Sequence, residues 1–97
     1  MTTLGTSYFA SSTSDTIVSA TTNVNGVVIS NYCCAASSTG DGSDDTRVLV
    51  DGEVLGSAHR HGWYHASCAG GPVEIPAGKA ITCQIGGGEV YMHYTVL

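Results

Sequence analysis

Apolar residues in this chain recur at alternate positions in short runs separated by glycine and polar clusters, and no stretch repeats them at helical spacing over three turns. Side chains alternate faces along a strand, so this is a β pattern throughout. A first strand over residues 6–10 puts Tyr8 and Ala10 on one face and Phe9 on the other. Beyond the polar SSTSD connection, residues 16–21 and 27–36 read as two longer strands. Asn25-Gly26 between them supplies the positive φ of a type I′ hairpin turn. Strict alternation then groups Val27, Ile29 and Cys33 on one side, with Val28, Tyr32 and Cys34 on the other. The strongest hairpin signal is 46–50, Asp51-Gly52, 53–59, because a two-residue Asp-Gly loop sits between β-branched runs. Pairing Val50 with Glu53 sets Leu49 opposite Val54, Val48 opposite Leu55 and Arg47 opposite Gly56.

Farther on, SCAGG at 67–71 reads as a turn, and 72–75 as a short strand closed by the tight turn Pro76-Ala77-Gly78. Residues 80–85 alternate with Ile81, Cys83 and Ile85 inward. A four-residue loop, 86–89, then folds the last strand back as a hairpin with Val90, Met92, Tyr94 and Val96 inward. That register pairs Ile85 with Val90, Cys83 with Met92 and Ile81 with Tyr94, and leaves Tyr91 and His93 outside. About eight short strands predict an all-β fold, a small antiparallel β-sandwich or jelly roll, with residues 1–97 as a single domain.

Composition changes this picture at the surface. The hydrophobic fraction, 42%, is ordinary, whereas charged residues make up only 11%, less than half of the usual ~25%. Apolar residues on both faces of 27–36 and of the 46–59 hairpin predict that a second face is covered by a neighbouring subunit. The net charge is −5, and Arg47, Arg60 and Lys79 are the only fixed cations, so there is no footprint for nucleic acid. No run approaches the ~18 apolar residues of a membrane span, and the first residues lack a basic start and an apolar signal core. Synthesis in a reducing cytoplasm is the expectation, with Cys33, Cys34, Cys68 and Cys83 as small buried thiols. If oxidised, the four allow three pairings. The run SSTGDGSDD at 37–45 reads as a solvated loop; Asp41-x-Ser43-x-Asp45 lacks the glycine and glutamate of a calcium-binding EF-hand.

Candidate chemistry concentrates in residues 57–65, SAHRHGWYH. In an extended chain His59, His61, Trp63 and His65 share one side. His59, His61 and His65 are therefore candidate ligands for a transition metal, iron or zinc, while the bland alternative is surface or half-buried histidines beside a core tryptophan. His59-x-His61 and Pro76-x-Gly78 also resemble parts of the two cupin metal motifs. The carboxylate and final histidine of those motifs are missing, Ile81 standing where the histidine belongs. No Gly-x-Ser-x-Gly elbow is present.

Three segments, TIVSATTNVNGVVI, TRVLVDGEVLG and PVEIPAGKAITCQIGGGEVYMHYTVL, make the chain similar to the small β-sandwich virion proteins of tailed bacteriophages. The resemblance implies a non-enzymatic subunit of head decoration, spike or fibre. Such a protein is made in the host bacterial cytoplasm and binds capsid or tail neighbours in the virion, often as a homotrimer. It also implies that His59 and His61 could meet their copies at a three-fold axis around one iron. Trp63, Tyr64, Tyr91 and His93 are the candidate interface or ligand residues. A carbohydrate-binding sandwich, stacking sugars on Trp63, Tyr64, Tyr91 and Tyr94, is the remaining class. Oligomeric mass in solution with and without chelator separates these expectations. A histidine–metal axis predicts a trimer that chelator dissociates, whereas lattice attachment alone predicts a mass that chelator leaves unchanged.

Overall fold

The computed structural model describes residues 6–36, 45–59 and 66–97. These form nine strands: β1 (Ser7–Ser11), β2 (Asp15–Val18), β3 (Val27–Ala36), β4 (Asp45–Val50), β5 (Glu53–His59), β6 (Ala66–Gly70), β7 (Val73–Ile75), β8 (Ile81–Ile85) and β9 (Gly88–Val96). One antiparallel sheet has the order β1-β9-β3-β6, with β7 also on β3, and the other has the order β2-β8-β4-β5. β6 and β7 lie end to end along β3. Counted as one interrupted strand, they give eight strands in the jelly-roll order, so the expected sandwich is borne out. Every connection except β4–β5 and β6–β7 crosses from one sheet to the other.

Two expected hairpins are corrected by this topology. β2 pairs with β8 while β3 pairs with β9, so the segment through Asn25-Gly26 is a crossover, not a hairpin turn. β8 and β9 likewise lie in different sheets. The inward residues Ile81 and Cys83 meet Val90 and Met92 across the core, not side by side. Alternation marks which side chains face inward but is blind to whether facing partners share a sheet or oppose each other. The strand expected over 16–21 stops at Val18, because Ser19 turns the chain: its carbonyl accepts from the Thr22 and Asn23 amides at 3.1 and 3.0 Å. Residues 67–70, expected in a turn, are strand instead. Their poor intrinsic strand preference is overridden by pairing with β3.

The core is built by parity, and two irregularities change it. Between Ile29 and Asn31 the β3–β9 register shifts, so that Ile29 faces Tyr94 while Asn31 faces His93, with Ser30 as the extra residue. Val27 and Ile29 are buried before this bulge, and Cys34 and Ala36 after it. Cys33, expected beside Ile29, therefore turns outward. The β4–β5 pair is also bulged. Leu49 faces Val54 and Val50 faces Glu53 as expected, but Val48 faces Gly56 and Arg47 faces Ser57, which leaves Leu55 as the insertion. The apolar residues of β3 that a regular strand would divide between two faces are thus largely gathered onto one. Val96 lies at the rim and stays 37% exposed, short of the inward burial expected of it.

Tyr32 closes the side of the sandwich between the edge strands β5 and β6. A Cβ at Gly56 would lie 2.5 Å from its ring, and one at Gly70 would lie 2.6 Å from its hydroxyl oxygen, so both sites have room only for glycine. Its hydroxyl donates to the Leu55 carbonyl at 3.4 Å. In the β4–β5 turn, Asp51 and Gly52 have φ of 49° and 82°, the positive values expected of a type I′ loop.

Asn23 fastens the β2–β3 crossover. Fully buried, it donates through Nδ2 to the carbonyls of Pro76 (2.8 Å) and Lys79 (2.9 Å), and its backbone carbonyl accepts from the Gly78 amide at 2.8 Å. Replacing Asn23 by alanine removes both side-chain donors and leaves two carbonyls without these partners, which costs ~2–4 kcal/mol. Urea unfolding of Asn23→Ala is expected to show a lowered midpoint with an unchanged denaturant slope.

Candidate functional site

Two groups of side chains stand out from the described surface, on opposite sheets. The first is the outer face of the β1-β9-β3 sheet. On β1, alternation turns Tyr8 and Ala10 outward; on β9 it turns Glu89, Tyr91 and His93 outward. Register sets Tyr8 against His93 and Ala10 against Tyr91, and on the far side sets Asn31 against His93 and Cys33 against Tyr91. The Tyr8 and His93 rings pack tilted at 42° with centroids 4.6 Å apart. His93 Nδ1 donates to Asn31 Oδ1 at 3.0 Å. Tyr8 and Tyr91 remain 57% and 37% exposed. A shallow, open depression beside Tyr91 is lined by Ala10, Ser11, Ser12 and Glu89.

The second group lies where β4 begins and β5 ends, on the outer face of the other sheet. Asp45 faces His59 across the strand pair, and its carboxylate accepts from His59 Nδ1 on one oxygen and from Arg47 Nη2 on the other. Arg47 is thereby held along its own strand by Asp45. A carboxylate only accepts, so Nδ1 carries the proton, and in the neutral ring Nε2 is left with its lone pair. A carboxylate behind the other ring nitrogen is how metal-binding and acid–base histidines are commonly oriented. His59 keeps about half of its side-chain surface exposed, at 54%.

Of the residues expected to form a site, His59, Tyr91 and His93 are described, and they do not converge: His59 belongs to the second sheet and the other two to the first. His61, Trp63, Tyr64 and His65 lie outside the described residues. Among the described residues no three of histidine, cysteine, aspartate or glutamate are grouped to hold a metal ion, so the described part of the candidate iron or zinc site is one oriented imidazole. Tyr94 packs against the core. Tyr8, Asn31 and Arg47 were not singled out as site residues by the sequence, and Asp45 only in the calcium-loop spacing that was set aside. Tyr8 had the right parity, but nothing local says that β1 lies beside β9.

No family model, curated protein or solved structure matches the chain.

The Asp45 clamp generates a pH dependence. The hydrogen bond from His59, joined by that from Arg47, holds the Asp45 carboxyl below the usual value near 3.8. A depressed carboxyl stabilises the folded state above its unfolded pKa and loses that effect as pH falls through the folded pKa, because the unfolded chain binds the proton first. Asp51 behaves alike, held down chiefly by the Ala80 amide and then by Lys79. Urea midpoints measured from pH 5 downward are therefore expected to fall. The fall should be shallower in Asp45→Asn, with the remaining slope carried by Asp51.

Proposed function

We propose that the chain is a non-enzymatic structural subunit of the kind it resembles, a bacteriophage virion component that docks its β1-β9-β3 face against neighbouring capsid or tail subunits. The observation that carries this reading is the pair of exposed tyrosines, Tyr8 and Tyr91, on a sheet face whose centre is otherwise His93, Asn31 and Cys33. Glu89 and Glu74 stand at the margins of that face. A centre without net charge, rich in aromatic rings and rimmed by polar groups, is the usual anatomy of a protein interface. Tyrosine is also among the residues that most often anchor one. The scarcity of charge, 11% of residues, favours the same reading, since little of the surface demands full solvation. A homotrimer is the assembly this reading expects, with the virion as its final location.

The depression beside Tyr91 favours a second reading, in which one sugar ring stacks on Tyr91 and hydrogen-bonds Glu89 and the Ser11 and Ser12 hydroxyls.

The double variant Tyr8→Ala/Tyr91→Ala tests the first reading. Both rings are exposed, so the urea midpoint should stay close to that of the parent. Self-association by light scattering, or co-sedimentation with assembled particles, should weaken ~10-fold or more if the rings anchor the contact. Unchanged association would reject the docking face. Loss of binding to a glycan array in the same variant, with association intact, would favour the sugar reading instead.

A further inference from the structure

Cys34 and Cys68 are directly opposed residues of the antiparallel β3–β6 pair. Both point inward, Cys34 fully buried and Cys68 half-buried against the core. Opposed residues in such a pair have Cα atoms ~4.5–5.5 Å apart, inside the ~4.4–6.8 Å that disulfides span. The other thiols are excluded by position. Cys33 lies on the outer face of the same strand, one residue out of phase. Cys83 belongs to the opposing sheet, and facing sheets stand ~10 Å apart.

We propose that Cys34 and Cys68 close a cross-strand disulfide when the folded protein meets a low-molecular-weight disulfide such as oxidised glutathione. The inference is independent of the docking face, since neither sulfur lies on it. Access is through β6, an edge strand, on which Cys68 is the half-exposed partner. Cys68 loses its proton and its thiolate attacks glutathione disulfide, which forms a mixed disulfide and expels one glutathione thiolate. Cys34, deprotonated in turn, attacks the Cys68 sulfur and expels the second. The protein loses two thiol hydrogens and gains one S–S bond, while one glutathione disulfide becomes two glutathione thiols.

The Cys34 thiol donates to the Gly56 carbonyl at 3.8 Å, a weak bond that closure gives up. Burial, with Cys68 and then Cys33 nearby, pushes the Cys34 thiol up to about 11. Its thiolate is therefore scarce at neutral pH, and closure is slow there and faster in alkali. The bridge would tie the edge strand to β3 beside the Tyr32 ring, which already packs against Gly70 of that strand.

The test is exchange of the folded protein with oxidised glutathione at pH 9, quenched with acid and followed by thiol titration in denaturant and tryptic mapping. Arg47, Arg60 and Lys79 are the only tryptic sites, so Cys33 and Cys34 fall in peptide 1–47, Cys68 in 61–79 and Cys83 in 80–97. The expected result is a fall from four thiols to two in the parent and from three to one in Cys33→Ser, with 1–47 joined to 61–79 in both. Four thiols persisting, glutathione retained on Cys68, a link to 80–97, or a link that disappears in Cys33→Ser would each overturn the proposal. Cys33 and Cys34 share peptide 1–47, so the Cys33→Ser map assigns the link to Cys34, and because Cys33 lies on the outer face this variant leaves the two inward thiols in place.

Discussion

The extra residue in β3 at Ser30 is the constraint on which the rest of this sandwich depends. A ten-residue strand without it would bury Val27 and Ile29 at one end and would face Cys34 and Ala36 outward at the other. With it, both halves present their apolar residues to one core. The same irregularity organises the neighbours. Opposite it the edge breaks between β6 and β7, where Gly71, at φ 123°, lies so close to Ser30 and Asn31 that a Cβ would be 2.6 Å from the Ser30 carbonyl oxygen. After it Tyr32 points inward, where its ring fills the space over Gly56 and Gly70, and Cys34 comes to face Cys68.

The two ends of the sandwich are built differently. At one, the β2–β3 crossover, the β4–β5 turn and the β7–β8 turn are hooked together. Asn23 holds the Pro76 and Lys79 carbonyls, while Asp51 exchanges hydrogen bonds with Ala80, accepting from its amide at 2.8 Å and donating to its carbonyl at 2.9 Å. Leu97 adds a bond from its amide to the Gly26 carbonyl at 3.0 Å. At the other end the chain joins β3 to β4 and β5 to β6, and there the Asp45–His59–Arg47 clamp sits. The described residues of the first end are secured by neutral and charge-assisted bonds to backbone; those of the second have such bonds too, from the Gly86 amide to the Asp45 carbonyl at 3.0 Å and from the Ile85 amide to the Ser14 hydroxyl at 2.9 Å, and add the surface charge clamp, which salt and acid weaken.

The sequence made the fold class legible because alternation is a local signal, and it placed Ile81, Cys83, Val90 and Met92 inward correctly. The Asp51-Gly52 turn was legible for the same reason: its backbone demand is met by the two residues themselves. Sheet membership was not legible. In a jelly roll most successive strands lie in opposite sheets, so a strand–turn–strand pattern such as 16–36 describes a crossover as well as it describes a hairpin. The bulges were hidden too, since Ser30 and Leu55 carry no local mark of being extra residues; their cause lies in partners brought from elsewhere in the chain. Of the candidate site, the outward facing of Tyr91 and His93 was legible. The pairing of His59 with Asp45 required a bulge-corrected register to be seen.

The bulges also change which surface is left apolar for association. Two-sided apolar strands first suggested a covered second face, yet in β3 the bulge gathers much of that apolar surface into one core. The exposed apolar surface of the described residues is more local: Tyr8 and Tyr91 on the face of one sheet, Val54 on the other, and Val24, Val96 and Leu97 at the end that carries the β2–β3 crossover. Single exposed apolar residues are normal on any protein. Weight therefore falls on arrangement. Tyr8 packs at a tilt against His93, which is itself held by Asn31, so part of the ordering entropy that a partner would otherwise have to supply has already been spent. Val54 is an aliphatic side chain on an edge strand, next to the solvated turn residues Asp51 and Gly52. The aromatic pair spans β1, itself an edge strand, and its neighbour β9, and it is the ordering of Tyr8 by His93 and Asn31, not a central position, that makes this face the better basis for the proposed contact.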